Sequence, residues 1–242
     1  MITSKQNALV KEIRSLADKK FRDALNLYIV EGIKPVKEVL ALNLPVKVVV
    51  GTEKGLNACG EIFAPVQMLS DDVFKYVSTE VTPQGVIAVI EKPEQKVCAP
   101  TQSCLLLDGV ADPSNVGAII RTAVASGYKE VFLTNECADA FSPKAVRSSM
   151  SGVFRAKVMR GELDEILSVV DCPIVVADMG GENVFERKIE GKFCLVIGNE
   201  GRGVSNSLKT KADITVSIPM QNDMESLNAS VSAGILMYNL KN

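Results

Sequence analysis

Six short aliphatic runs recur between residues 104 and 218, at 104–108, 130–133, 156–159, 173–177, 193–197 and 214–218, with helix-patterned stretches between them. Stretches such as Leu105-Leu106-Leu107 and Ile174-Val175-Val176 do not alternate with polar residues, so they cannot serve a sheet with one wet face. They require a parallel sheet covered on both sides by helices, an α/β fold. A shorter alternation precedes it: strands at 28–31, 46–50, 66–69 and 85–90, helices at 35–42, 54–59 and 71–77. The stretch 91–103, with two prolines, mixed charge and no periodicity, reads as the linker. A boundary near 97 gives a small N-terminal domain, 1–97, and a larger one, 98–242.

Several function classes fall away at once. Apolar runs such as 193–198 and 104–107 are far short of the roughly 20 residues of a membrane span. No long apolar stretch and no small-residue cleavage site follow Lys5, so no secretory signal or anchor is visible and a cytoplasmic location is expected. Six scattered cysteines without a C-x-x-C pair suit reduced core thiols, not a disulfide or zinc framework. The chain has no histidine, which removes His-based triads and His-ligated metals; no metal is expected.

Net charge is −2, which argues against a protein that coats nucleic acid, yet residues 1–22 gather Lys5, Lys11, Arg14, Lys19, Lys20 and Arg22 against only Glu12 and Asp18. Such a patch suits contact with RNA phosphates. The same spacing also describes a solvated amphipathic helix that turns Leu9, Ile13 and Leu16 to the core.

Parallel sheets bind ligands beyond the carboxyl ends of their strands, and three loops there are unusual. Neither G-x-G-x-x-G nor G-x-x-x-x-G-K-[ST] is present, so a pyrophosphate is not the expected ligand. In the first loop Asp112-Pro113 starts a helix, Asn115 falls in its first turn, and Arg121 stands between Gly117 and Ala125 at four-residue spacing. In the second, three glycines surround Glu200 and Arg202, which permits close backbone approach to a flat ligand or simply makes a turn. The third runs from Ile218 into a helix rich in Ser, Ala and Gly. Glu225 or Ser226 opens that helix, Ser226 being the better cap, and Asn228 and Ser230 add polar groups. A tightly packed helix or a dimer face accounts for the third loop equally well.

Taken in order, N-V-G-A-I-I-R at 115–121, V-I-G-N-E-G-R-G at 196–203 and I-P-M-x5-S-L-N-A-S at 218–230 closely resemble the three motifs of the SpoU (TrmH-like) RNA ribose 2′-O-methyltransferases of the SPOUT superfamily. The resemblance spans 104–242, and 1–97 looks like the ribosomal-protein-like RNA-binding domain that often precedes it. It implies a parallel sheet with a deep trefoil knot, a homodimer packed through small-residue helices, and S-adenosyl-L-methionine as cofactor. Ala177, Gly198, Asn199, Gly201, Ile218, Met220 and Leu227 would hold the cofactor. Asn115, Arg121, Glu200, Ser226 and Asn228 would be the catalytic set.

The implied reaction methylates a ribose 2′-hydroxyl, with Arg121 either as the base or as a charged stabiliser. Likeness of 4–38 to ribosomal-RNA members favours large-subunit ribosomal RNA over transfer RNA. A non-catalytic ribosome-assembly protein and an unrelated adenine-nucleotide enzyme are the competing readings. Two positions depart from the pattern: Asn222 replaces a common glycine and Ser232 a common alanine. Asn tolerates positive φ, so the loop is expected to keep its shape.

Overall fold

The computed structural model describes residues 1–222 and 226–241. The chain forms two compact units, Met1–Pro93 with Phe141–Arg147, and Glu94–Ala140 with Ser148–Asn242. The break falls at Pro93, a few residues before the expected boundary. Phe141–Arg147 joins the first unit, where Phe141 packs edge-on against Tyr28 at 5.0 Å between ring centroids.

The first unit runs α1 (Ala8–Ser15), α2 (Lys19–Leu25), β1 (Leu27–Glu31), α3 (Ile33–Ala41), β2 (Val46–Gly51), α4 (Glu53–Cys59), β3 (Val66–Met68), α5 (Asp71–Val77) and β4 (Val86–Glu91). Its sheet order is β1-β4-β2-β3, with β4 antiparallel to both neighbours and β2 parallel to β3. Val10, Ile13 and Leu16 face a core shared with Ile29, Val50, Phe74 and Ile87.

The basic segment is two helices, not one. Asn7 caps α1 and Asp18 caps α2, each accepting from a backbone N–H two residues on. Arg22 is only 2% exposed and donates to the carbonyls of Leu16 and Ala17. These are end-of-helix carbonyls that lack an intrahelical partner, so Arg22 is a buried capping group and leaves the expected set of RNA-facing cations.

Beyond β4 the chain order is β5 (Cys104–Asp108), α6 (Pro113–Ala125), β6 (Glu130–Thr134), α7 (Pro143–Ser149), β7 (Lys157–Gly161), α8 (Leu163–Val169), β8 (Ile174–Asn183), β9 (Cys194–Gly198), α9 (Asn206–Thr210), β10 (Ile214–Ser217) and α10 (Ala229–Leu240); all of these but α7, most of which belongs to the first unit, build the second unit. The sheet order is β10-β8-β9-β5-β6-β7, and every pairing is parallel. The six aliphatic runs are its six strands. From β5 the chain steps outward to β6 and β7, then returns to place β9 on the other side, so the order reverses between β5 and β9. That reversal is the switch point at which α/β sheets leave a crevice at their carboxyl ends.

Strand β8 continues to Asn183, well past its expected end at 177. Its pairing with β10 jumps from Val176 to Glu182, which leaves 177–181 outside the ladder, and then resumes. Gly181 returns the strand against β10: a Cβ there would lie 2.5 Å from backbone atoms of Val216. All six cysteines are free; Cys59, Cys104, Cys137 and Cys194 are buried, Cys98 and Cys172 half-buried. Among the described residues, no helix is long and apolar enough to cross a membrane.

Candidate active site

Asp108 and Gly198 are register partners at the carboxyl ends of β5 and β9, at the switch point. The Asp108 carboxylate, 7% exposed, accepts from Ser205 N at 2.7 Å and fixes the far end of the glycine loop. Asn199 holds the near end. Its Nδ2 donates to the Gly109 carbonyl at 2.7 Å, while its Oδ1 accepts from the backbone of Gly201 and Arg202. Two reciprocal backbone bonds between Asn199 and Gly203, 3.0 and 2.9 Å, close the loop. Gly198 is required there, because a Cβ would meet Gly203 C and Val204 N at 2.4 Å.

Asp112 caps α6 by accepting from Ser114 N, and Pro113 occupies the first turn, so Asn115 stands on the positive end of the helix. Asn115 is 9% exposed and donates from Nδ2 to Glu200 Oε1 at 2.8 Å. Its Oδ1 accepts from Asn228 Nδ2 at 3.1 Å. Asn228 in turn uses Oδ1 to accept from Ser230 N and Ser230 Oγ, at 2.9 and 2.6 Å. An oxygen that accepts from those donors fixes which end of the Asn228 amide is the nitrogen, which fixes Asn115 and directs its N–H to the carboxylate. The three loops thus meet in one directed chain, Asn228 to Asn115 to Glu200.

The helix that begins here is capped by Asn228, not Ser226: α10 starts at Ala229, and Ser226 is exposed. Asn228 prevails because its side chain reaches the first free N–H groups of α10, two residues too far for Ser226. Glu225 lies outside the described residues. Asn222, with φ of 56°, holds the left-handed turn expected of a glycine stand-in.

Arg121 is six residues beyond Asn115 on α6, about 9 Å along the axis, and is exposed. Among the described residues its guanidinium has no hydrogen-bond or ion-pair partner. Gly152 of the 3-10 turn Gly152–Phe154 fixes its backbone, with a Cβ there 2.9 Å from Arg121 Cα. So Asn115, Glu200 and Asn228 are brought into contact, whereas Arg121 and Ser226 are not bonded to them.

Three groups escaped the sequence reading. Asp108 ends an aliphatic strand, which was the available signal. Thr134 Oγ1 accepts from Gly109 N at 3.0 Å. Arg160 donates to the carbonyls of Thr134, Asn135, Cys137 and Ala138 and pins the loop that carries Glu136, which pairs with Arg202 at 3.6 Å.

The expected cofactor residues occupy the carboxyl ends of three adjacent strands: Ala177 after the β8 ladder breaks, Gly198, Asn199 and Gly201 at β9, Ile218 and Met220 at β10, with Leu227 just before α10. All seven are partly or fully exposed, so they are open to a ligand. Six of the seven, all but Asn199, carry no side-chain nitrogen or oxygen, so the set offers mostly backbone groups and apolar surface, which suits a nucleoside with a sulfur-bearing tail better than a polyphosphate.

Comparison with known proteins agrees with this chemistry. Residues 102–238 match the model of the SpoU rRNA Methylase family, and 7–88 match an MRM3-like substrate binding domain. The chain is 36% identical over 245 residues to the 23S rRNA (guanosine(2553)-2′-O)-methyltransferase RlmP of Bacillus subtilis, covering 99% of this chain and 98% of that protein. Among solved structures, the SpoU methyltransferase AviRb from Streptomyces viridochromogenes, in complex with AdoMet, superposes with a TM-score of 0.87 at 27% identity, covering 97% of each chain. An AdoMet-bound rRNA methyltransferase from Sinorhizobium meliloti gives 0.86 at 28% identity over 98% of this chain and 95% of that one.

Proposed function

The chain belongs to the SpoU rRNA methylase family, and on that premise we propose that it methylates a ribose 2′-hydroxyl of large-subunit ribosomal RNA, with S-adenosyl-L-methionine as donor. The observation that carries the reading is the directed chain from Asn228 through Asn115 to Glu200 at the sheet's switch point. When bound, the cofactor supplies an electrophilic methyl group on a sulfonium.

The residues of the chain position and neutralise. Glu200, held by Asn115 at the positive end of α6, orders the glycine loop, and its second carboxylate oxygen, without a partner among the described residues, accepts from a substrate hydroxyl. Arg121, without a hydrogen-bond or ion-pair partner among the described residues, clamps the phosphate next to the target ribose and stabilises negative charge that develops on the 2′-oxygen. A guanidinium keeps its proton in proteins, which favours this role over that of a base. The proton then leaves to water or to the phosphate. Ser226, exposed beside Leu227, completes the substrate side of the crevice.

The finer parts of the reading are a trefoil-knotted catalytic domain, an N-terminal ribosomal-protein-like RNA-binding domain, a homodimer and a cytoplasmic location. The strand order β10-β8-β9 supports the first, and the match of 7–88 to a substrate binding domain supports the second. Val231 and Tyr238, 50% and 59% exposed and one heptad apart on α10, support a dimer face. The test is transfer of labelled methyl groups into separate pools of unmodified ribosomal and transfer RNA, followed by nucleoside analysis. 2′-O-methylribose confined to the large-subunit RNA is expected; label in transfer RNA alone would move the substrate, and none in either would remove the activity.

A further inference from the structure

The six cations of residues 1–22 separate by environment. Arg22 is buried in a capping role, and Lys19 is spent on Asp23 at 2.6 Å. Two others converge elsewhere: Lys5 Nζ lies 5.3 Å, and the Arg14 guanidinium 5.5 Å, from the ring centroid of Tyr76 on α5. Beside them an open cleft of about 730 Å3 is lined by Ser4, Lys5, Asp72, Lys75 and Tyr76, among others. Among the described residues, Lys5, Arg14 and Lys75 have no ion-pair partner, although other lysines of the same unit, Lys47 and Lys92, are paired.

From this arrangement we infer that the cleft is a built subsite for the ribose-phosphate backbone of the RNA, in which Tyr76 seats two cations for phosphate capture. The inference rests on the RNA substrate proposed above. Long basic side chains on a bare surface lose rotamer freedom when they bind a phosphate; an aromatic face that already holds them removes part of that loss. Ser4 Oγ accepts from Gln6 N at 3.2 Å, which leaves its O–H free to donate to a phosphate oxygen. Asp72 opposes a second phosphate at the same point but accepts from a ribose hydroxyl, which selects RNA over a generic polyanion.

The test uses the full chain, an unmodified 23S ribosomal RNA transcript and DNA of the same sequence. Tyr76→Leu leaves net charge unchanged, and Tyr76 is 39% exposed while Val73, Phe74 and Val77 carry the α5 core, so the variant is expected to fold. Loss of two cation–π seats should raise Kd and KM for the RNA about tenfold, with kcat and cofactor affinity unchanged. The Lys5→Ala/Lys75→Ala variant should make the log–log salt slope shallower by about 1.5. Asp72→Asn should narrow the preference for RNA over DNA.

A Tyr76→Leu protein with the wild-type melting point and wild-type RNA affinity would overturn the proposal, as would an unchanged salt slope or equal competition by DNA. Displacement of the RNA by poly-glutamate at equal charge would make the cleft a protein-docking face instead. Wild-type protein that binds RNA through these residues but transfers no methyl group would sink the activity and leave the subsite standing.

Discussion

Asn228 donates to Asn115 at 3.1 Å across 113 residues of chain, and the same side chain caps α10 through its oxygen. One amide therefore does two jobs that chemistry can separate. Asn228→Asp keeps an N-cap acceptor, and α10 should lose no more than a few tenths of a kcal/mol. It replaces the donor toward Asn115 with a second acceptor, so that amide must serve two carboxylates with one NH2 group. Methyl transfer should fall about 10-fold to 100-fold, the worth of a hydrogen bond to a charged group. Asn228→Ala should lose both activity and about 1 kcal/mol of cap stability. Single-turnover methylation beside thermal melts would separate the two; an active Asn228→Asp protein would reduce Asn228 to a cap.

Arg121→Ala should abolish methyl transfer and leave cofactor affinity within about twofold, because the proposed cofactor residues lie at the ends of β8, β9 and β10, while Arg121 lies on α6 and has no hydrogen-bond or ion-pair partner among the described residues. Arg121→Lys keeps the charge but not the planar fork, and should recover only a small part of the rate. Titration calorimetry with S-adenosylmethionine checks the first half. Lost cofactor affinity in Arg121→Ala would make the residue structural.

The strands were legible because a parallel sheet buried on both faces leaves little choice of residue: Cys104–Asp108, Glu130–Thr134 and Cys194–Gly198 are almost wholly buried and were read to within a residue or two. What stayed hidden depends on distant partners. Gly180-Gly181 looks like a turn from its neighbours, and only the backbone of Val216 explains why the strand resumes there. Arg22 looks like one more surface cation in a basic run, and its burial follows from carbonyls left over when α1 stops at Ser15. The site residues were legible as motifs, but the bond that orders them, Asn228 to Asn115, joins loops whose approach no local pattern encodes.

Gly198→Ala should be among the most damaging single-methyl additions in the chain. Its Cβ would sit 2.4 Å from backbone atoms of Gly203 and Val204, in a loop tied by two Asn199–Gly203 bonds that cannot yield without opening. A cost of about 1–3 kcal/mol is expected, with cofactor affinity down at least about tenfold. Gly180→Ala is the control, since nothing lies within 4 Å of its Cβ. Differential scanning fluorimetry with and without S-adenosylmethionine reads both; equal ligand-induced shifts in the two variants would place the glycine loop outside the cofactor site.

Thiol reactivity should follow burial. Burial pushes the Cys137 thiol up, and the Cys172 thiol is pushed up by its hydrogen bond to Cys104 and by burial. The folded protein at pH 8 should react first at Cys98, which is only half-buried and whose sulfur is contacted by Lys157 Nζ at 2.9 Å. The other five should react only slowly until denaturant is added. Peptide mapping after a short alkylation checks the order; rapid labelling of Cys137 would mean that the β6 loop opens readily.

The ion pairs of Asp23 give the first unit an acid-sensitive joint. Its carboxylate is 2.6 Å from both Lys19 and Lys92. Burial alone would raise its pKa, but the two lysines outweigh that and hold it at about 2, below the ordinary 3.8. A carboxyl group with a lower pKa in the folded state stabilises the fold above its unfolded value, and that contribution is lost as pH falls through the folded one. The gap in melting temperature between wild type and Asp23→Asn should therefore be constant from pH 5 to pH 7 and close between about pH 4 and pH 2. The Asp23 side chain is 43% exposed, so added salt should shrink the gap at neutral pH. A gap that persists at pH 2 would show that Asp23 acts through neutral hydrogen bonds and not through its charge.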